Sequence, residues 1–120
     1  MVSRVWNGAV LVLHRFRVPD SDAVPFRREV EEALAVLGEQ AGFEGGTVGR
    51  NVDDPDLWVL ETRWAGPGAY RRGLSAYDVK VRAWAVLGRA IDEASAYEVV
   101  ETGREPNQAR PRGGAADSGG

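Results

Sequence analysis

The sequence contains no cysteine, so disulfide bridges, thiolate metal sites and cysteine nucleophiles are all excluded. It contains one histidine, His14, which excludes metal sites built from several histidines of one chain and leaves a single imidazole for acid–base chemistry. Long apolar runs are also missing, because the opening run ends at Leu13 and is too short to span a membrane or to form a signal peptide. These absences predict a soluble cytoplasmic protein with no membrane partner.

An excess of positive charge is missing as well. The chain has 15 basic and 18 acidic side chains, a formal net charge of −3. Residues 103–120 carry a charge of +1, from three arginines against two acidic residues, which leaves −4 for the rest of the chain. Proteins that bind nucleic acid normally present a basic face, so this balance predicts no nucleic-acid partner.

The chain of 120 residues is long enough for one domain with its own core. Its final stretch, residues 103–120, has no large apolar side chain and cannot offset the entropy lost on ordering. The sequence therefore predicts one folded domain over residues 1–102 and a disordered tail over residues 103–120.

The pattern of apolar and turn-forming residues predicts the order strand, helix, strand, strand, helix, strand. The predicted strands cover residues 9–18, 43–52, 57–64 and 96–101, the second with a possible bulge at its glycines. The predicted helices cover residues 20–42, 69–75 and about 78–89. The last of these helices has a predicted buried stripe made of Val79, Trp84, Leu87 and Ile91.

With right-handed crossovers, this order gives an α+β, ferredoxin-like βαββαβ fold, a four-stranded antiparallel sheet with its helices on one face. Residues 9–13 and 57–60 are apolar at successive positions, which indicates strands buried on both faces. A second copy of the chain, packed sheet to sheet, is the economical cover for the other face, so we expect a homodimer. The alternative is an open sheet face with scattered apolar residues.

His14 is the first candidate for chemistry, because imidazole is the side chain whose ordinary pKa lies near neutral pH. It shares strand parity with Val10, Val12 and Phe16, so it faces the helices if Leu11 and Leu13 face a partner chain. The alternative is a hydrogen-bonded or partly exposed strand histidine with no catalytic task.

The end of the predicted third strand supplies further candidates. Trp64 precedes a Gly-Pro-Gly break, a position where ligand sites often form, and Thr62 shares its parity. Core packing is an equally good explanation for this indole. In the helical stretch that follows, Tyr70 and Tyr77 can exchange protons with a substrate oxygen, and Arg71 can hold an anionic oxygen. Tyr77 is weakly preferred to Tyr70, because it lies at the junction of two helical pieces.

Three parts of the sequence resemble landmarks of the antibiotic biosynthesis monooxygenase superfamily, the dimeric α+β barrel proteins. They are the strand Val-Leu-Val-Leu-His-Arg-Phe-Arg-Val from Val10, the Gly42-Phe43 step, and Leu-Glu-Thr-Arg-Trp from Leu60 followed by a helix that carries Tyr70. The resemblance covers residues 9–101. It implies the predicted fold and a dimer, and it places Trp64 in a pocket between the sheet and the helices.

Members of that superfamily oxidise polycyclic phenols or quinols with dioxygen and use neither metal nor flavin, while some relatives degrade haem. The haem-degrading members pair the tryptophan with an asparagine on the first strand and a helical histidine that binds iron. This chain resembles them less, because His14 occupies the asparagine position and no histidine follows Trp64. By resemblance, the first hypothesis is a monooxygenase that needs no cofactor or metal, with His14 or Tyr77 assisting deprotonation and Trp64 stacking on an aromatic substrate. The second is a non-catalytic dimer that binds a small aromatic or apolar ligand, and haem degradation is third.

Overall fold

The computed structural model describes residues 8–100, and its strands follow the predicted order. Residues 103–120, the predicted disordered tail, lie outside the described residues, as does residue 101, the predicted end of the last strand. The elements are β1 (Val10–Arg17), a single 3-10 turn (Asp20–Asp22), α1 (Ala23–Gly38), β2 (Phe43–Arg50), β3 (Leu57–Trp64), α2 (Pro67–Ser75), α3 (Tyr77–Arg82), α4 (Trp84–Leu87) and β4 (Ala96–Glu98).

The four strands form one antiparallel sheet in the order β2-β3-β1-β4. The predicted α+β, ferredoxin-like fold is confirmed by this order, because β1 and β3 are the central strands and β2 and β4 are the edges. The two central strands pair along their whole length, from Val10 opposite Trp64 to Arg17 opposite Leu57. The register of β2 is irregular between Phe43 and Gly45, where the glycines predict a bulge.

The two faces of the sheet differ in burial. Along β3, each second residue from Trp58 to Trp64 is buried, and the residues between them are half-buried or exposed. In β1 the buried positions are Val10, Val12 and Phe16. The helices therefore cover one face only, and the apolar residues of the other face, such as Leu11 and Val59, stay partly accessible in the single chain.

The first helix is shorter than the sequence predicts, since it ends at Gly38 and not at Gly42. After Gly38 the chain forms a turn, and the Gln40 side chain donates a hydrogen bond of 3.0 Å to the Val36 carbonyl oxygen. This contact satisfies one of the carbonyl groups that a helix end leaves without an intrahelical partner. Gly42 then takes a φ of +87°, close to Ala69 of α2, where a Cβ atom would collide. Gly42, the residue predicted to end the first helix, therefore forms the turn into β2.

The long helix predicted from residue 78 is broken in two. Ala83 has a φ of −127° and separates α3 from α4. The buried stripe consists of Val79, Ala83 and Val86. Trp84, predicted to belong to it, is 50% exposed, and its indole N–H donates to the Leu74 carbonyl oxygen at 2.9 Å. That prediction was wrong: Val79, Ala83 and Val86 have the i, i+4, i+7 spacing of one helix face, and Trp84 falls outside that face.

Candidate functional site

His14 lies in the middle of β1 and points to the face that the helices cover. Its strand neighbours on that face, Val12 and Phe16, are buried, and its cross-strand partner Leu60 is fully buried. The imidazole is half-buried among these apolar groups. Its Nδ1 atom is inaccessible to solvent and has no hydrogen-bond partner among the described residues. The hydrogen-bonded alternative is therefore not supported at this nitrogen, while the half-buried ring leaves the partly exposed alternative open.

The surroundings of His14 determine its protonation state. Burial in apolar surroundings disfavours the charged imidazolium, and this desolvation lowers the pKa of His14 below its ordinary value of 6.5. The imidazole is therefore neutral at pH 7, and one of its two ring nitrogens carries a lone pair. A neutral, unpartnered ring nitrogen on a protected face can accept a proton from a phenolic hydroxyl group, which is the task of a general base.

Trp64 is packed inside the core. Its side chain has no exposed surface, and its Nε1–H donates to the Thr62 Oγ1 atom at 3.0 Å. The rings of Phe43 and Tyr70 contact it edge-on, with centroid distances of 5.3 Å and 6.0 Å. Gly73 completes the enclosure, since a Cβ atom there would lie 2.6 Å from the indole Cη2 atom. Neither face of Trp64 is free in this structure, so its predicted stacking on a ligand stays a prediction that requires one neighbour to move.

The two tyrosines of the helical stretch occupy different environments. Tyr70 is half-buried and contacts Trp64, whereas Tyr77 begins α3 with 77% of its surface exposed. Arg71 is exposed next to Tyr70 in α2 and has no ion-pair partner in the part of the chain that the structure describes. Burial therefore favours Tyr70 over Tyr77 as the phenol of a site between sheet and helices. At this exposure Tyr77 is not enclosed between the sheet and the helices in the single chain.

Sequence reasoning missed a second polar group on the helix-facing side of the sheet. Glu98 lies in the edge strand β4, opposite Val10, and its Oε2 atom is inaccessible to solvent and lacks a hydrogen-bond partner among residues 8–100. A signal was available, because a glutamate interrupts the apolar run of the last strand. The run is too short, however, to fix which way the side chain points.

An open groove of about 280 Å³ lies between α1 and the α3–α4 pair. Its walls are charged, and two ion pairs across it, Arg82 to Glu32 and Arg89 to Glu29, have nitrogen–oxygen distances of 2.7 Å. Neither His14 nor Trp64 lines this groove, so it is not the predicted pocket. Within residues 8–100, no three acidic or histidine side chains come together as a metal site, and no helix there is long and apolar enough to cross a membrane.

The antiparallel sheet has the order β2-β3-β1-β4, and the helices cover one of its faces with a polar side chain beneath them. This arrangement defines the protein as a ferredoxin-like α+β domain. The sequence model of the antibiotic biosynthesis monooxygenase family matches residues 9–75, more than half of the chain. The chain therefore belongs to this family. The match includes β1, β3 and α2, the elements that carry His14, Trp64 and Tyr70.

Solved structures share this fold. SnoaB from Streptomyces nogalater, a cofactor-independent oxygenase, is 24% identical to this chain, with a TM-score of 0.68 over 82% of this chain and 99% of that one. A candidate antibiotic biosynthesis monooxygenase from Caulobacter crescentus is 17% identical, with a TM-score of 0.64 over 80% of this chain and 93% of that one. At these identities the likeness shows the fold alone. No curated protein matches the chain.

Proposed function

We propose that the protein oxidises a polycyclic phenol or quinol with dioxygen and uses neither a metal nor a flavin. The observation that carries this proposal is the half-buried His14, whose Nδ1 atom has no hydrogen-bond partner among residues 8–100 and whose pKa is lowered by burial. Family membership and a fold shared with SnoaB, a cofactor-independent oxygenase, support the same chemistry. Fold alone would not, because one fold can host unrelated activities.

In the proposed reaction, His14 first accepts the proton of the phenolic hydroxyl group. The electron-rich phenolate passes one electron to dioxygen, and superoxide then combines with the ring radical at a carbon that bears hydrogen. The histidinium returns its proton to the peroxide, which gives a hydroperoxide. Removal of the remaining hydrogen from that carbon, as a proton, breaks the O–O bond and releases water. One phenol and one dioxygen thus yield one quinone and one water, and the substrate supplies all the electrons.

The apolar surroundings of His14 keep the imidazole neutral before the reaction and assist the second step, the electron transfer to dioxygen. A substrate ring between the sheet and helices would displace water, and the phenolate would then keep its high energy because few groups there can solvate it. We propose that Tyr70 and Arg71 bind the substrate, and that Thr62 acts by holding Trp64 through the observed hydrogen bond. Tyr77 would contribute only after a rearrangement, since it is exposed.

We also propose that the protein is a homodimer formed sheet to sheet. The face opposite the helices carries Leu11, Leu13 and Val59, which are only half-buried in the single chain. Static light scattering at micromolar concentration should give twice the monomer mass of 13.0 kDa. A monomer mass would contradict this arrangement. The cytoplasmic location stays a prediction.

The experiment for the oxidation is dioxygen uptake, measured with an electrode after chelator treatment and gel filtration. A panel of two- to four-ring phenols and quinols should contain substrates that consume dioxygen and form a quinone absorbance band. His14→Asn should lower kcat at least 100-fold and change KM little, because asparagine can hold a hydroxyl group but cannot take its proton. The exposed Glu31→Ala is the control and should behave as wild type. Equal rates in wild type and His14→Asn would contradict the proposed role.

The second candidate is a non-catalytic dimer that binds a small aromatic or apolar ligand. The exposure of Tyr77 favours it, because of the two predicted catalytic residues only His14 is half-buried. Ligand binding without dioxygen uptake across the whole panel would support this candidate and contradict the first. Haem degradation is tested by titrating haemin and following its absorbance, and a histidine-ligated spectrum that decays with a reductant would favour it.

A further inference from the structure

The segment between α4 and β4, residues 88–95, continues along the side of β1 that β4 occupies and passes beside His14. We call this segment the strap. Two backbone hydrogen bonds attach it to β1, at 2.7 Å and 2.8 Å; they run from the Ile91 N–H to the Arg15 oxygen and from the Leu13 N–H to the Ser95 oxygen. The two attachment points on β1 are the residues before and after His14. The strap therefore lies where a neighbouring strand would flank His14.

The strap is not a regular strand. Continuing the pairing of β4 with β1 residue by residue would place Glu93 opposite Arg15. The backbone bond to Arg15 comes instead from Ile91, two residues earlier in the chain, so the strap bulges outwards between its two attachment points. Because a bulge interrupts the ladder of backbone bonds, side chains decide how closely the strap lies against β1.

One ion pair fastens the bulge to β1. The Nε and Nη2 atoms of Arg15 donate hydrogen bonds to the two carboxylate oxygens of Glu93, at 2.7 Å and 2.8 Å. Such a bidentate pair fixes the orientation of both groups as well as their distance. The same hydrogen bonds raise the pKa of Arg15 and lower the pKa of Glu93, so both side chains stay charged at neutral pH. The tip of the bulge is thus tied to the residue that follows His14.

The position of the strap bears on the solvation of His14. On the β3 side, the buried Leu60 lies opposite His14, and the strap runs along the other side. The imidazole is half-buried, and desolvation is the cause of its lowered pKa. The charged side chains of β4 and the strap are not among the causes of this shift; they are Glu98, Arg89, Asp92 and Glu93. Access of water to the ring therefore depends on how closely the strap is held.

We propose that Glu93 is a positioning residue for His14, because its ion pair with Arg15 holds the strap against β1 and keeps water from that side of the imidazole. This inference rests on the proposed function only for the catalytic task of His14. The shielding itself is a property of the free protein and can be measured without turnover.

The first test is the titration of His14 in Glu93→Ala, followed by NMR of the imidazole protons. His14 is the single histidine of the chain, so its signals are unambiguous. If Glu93 acts by holding the strap, its loss admits water and the pKa of His14 rises towards 6.5. If Glu93 acts as a nearby negative charge, its loss destabilises the imidazolium and the pKa falls. We expect the rise.

The second test measures opening of the strap directly. Loss of an exposed ion pair should raise the open population about two- to fivefold. Hydrogen exchange of the Ile91 amide should accelerate by this factor, while the amides of β3 exchange as in wild type. The reaction of His14 with diethyl pyrocarbonate, at a pH where the ring is neutral in both proteins, should accelerate likewise. Static light scattering should give the same mass for wild type and Glu93→Ala.

Two further variants serve as comparisons. Asp92→Ala removes a negative charge from the same strap, but Asp92 is exposed and has no ion-pair partner among residues 8–100. This control should match wild type in the pKa of His14 and in both rates. Glu93→Gln keeps one acceptor oxygen for Arg15 and should give values between those of wild type and Glu93→Ala.

Three results would overturn the inference. They are a fall in the pKa of His14 in Glu93→Ala, a pKa and reaction rates equal to those of wild type, and faster exchange throughout β3, which would identify a general loss of stability. The proposed function is tested separately by the acidic limb of the pH profile of dioxygen uptake, which should move with the pKa of His14. If the pKa rises and that limb stays in place, His14 is not the base, while the positioning role of Glu93 stands.

Discussion

Gly73→Ala offers a sharp test of how Trp64 is held, because two opposing effects meet at this position. Gly73 lies in α2 and is buried. Replacing a helical glycine by alanine ordinarily stabilises a protein by up to about 1 kcal/mol. Here the new Cβ atom would lie 2.6 Å from Cη2 and 2.7 Å from Cζ3 of Trp64. Non-bonded carbon atoms prefer about 3.5–4.0 Å, so something must shift.

The indole has little freedom to shift. Phe43 and Tyr70 contact the ring, and Thr62 accepts its N–H. Overpacking of a well-filled core costs about 1–3 kcal/mol, and a rigid neighbour places this site near the upper value. After the gain in helix propensity, the free energy of unfolding should fall by about 2 kcal/mol. For a domain of this size the thermal midpoint then falls by roughly 8–16 °C.

Gly68→Ala is the matched control in the same helix. Gly68 is exposed, and the nearest atom to its new Cβ would be Nη1 of Arg72 at 3.0 Å, the tip of a flexible side chain. This variant should be as stable as wild type or slightly more stable. Thermal and urea denaturation followed by circular dichroism measure both variants. In a Trp64→Phe background, Gly73→Ala should cost at least about 1 kcal/mol less, because the clashing ring atoms are gone. A Gly73→Ala protein as stable as wild type would refute the filled enclosure around Trp64.

Further predictions concern stability. Thr62→Val should lower the free energy of unfolding by about 1–3 kcal/mol in urea melts, because the buried Trp64 indole N–H loses its acceptor, whereas the exposed Thr47→Val should change it little. Because burial lowers the pKa of His14, the unfolded chain takes up a proton at this histidine before the folded protein does as the pH falls. The stability that His14 contributes is complete above pH 6.5 and is lost on acidification towards the lower pKa of the folded state. The free energy of unfolding should therefore vary less with pH in His14→Asn than in wild type. Truncation after Gly103 should leave the thermal midpoint unchanged, since the removed residues offer almost no apolar area, and a drop of several degrees would contradict this.

The sequence predicts the sheet well, because strand periodicity and turn residues are local signals. Residues 57–64 match β3 at both ends, and the glycine-rich stretch predicts the irregularity of β2. The break at Ala83 could not be predicted, since no proline or glycine marks it. Trp84 was misplaced because a large apolar side chain was assigned to the buried face, although it lies outside the helical spacing of Val79, Ala83 and Val86.

The candidate site could be predicted only in part. Strand parity put His14 on the helix-facing side correctly, because side chains alternate strictly along a strand. Parity says nothing about whether neighbouring rings enclose a residue, so the packing of Trp64 by Phe43 and Tyr70 emerged only in three dimensions. The sequence also could not predict that the Glu98 Oε2 atom lacks a hydrogen-bond partner among residues 8–100, since hydrogen-bond partners depend on the whole fold.

The central claim is that this protein oxygenates its substrate with His14 as the base and with no metal or flavin. The most direct measurement is mass spectrometry of the quinone formed under ¹⁸O₂ by metal-free, flavin-free protein from a diol substrate. We expect one labelled oxygen atom per product, and a rate of labelling that falls at least 100-fold in His14→Asn. Unlabelled product, or labelling at the same rate in both proteins, would contradict the account.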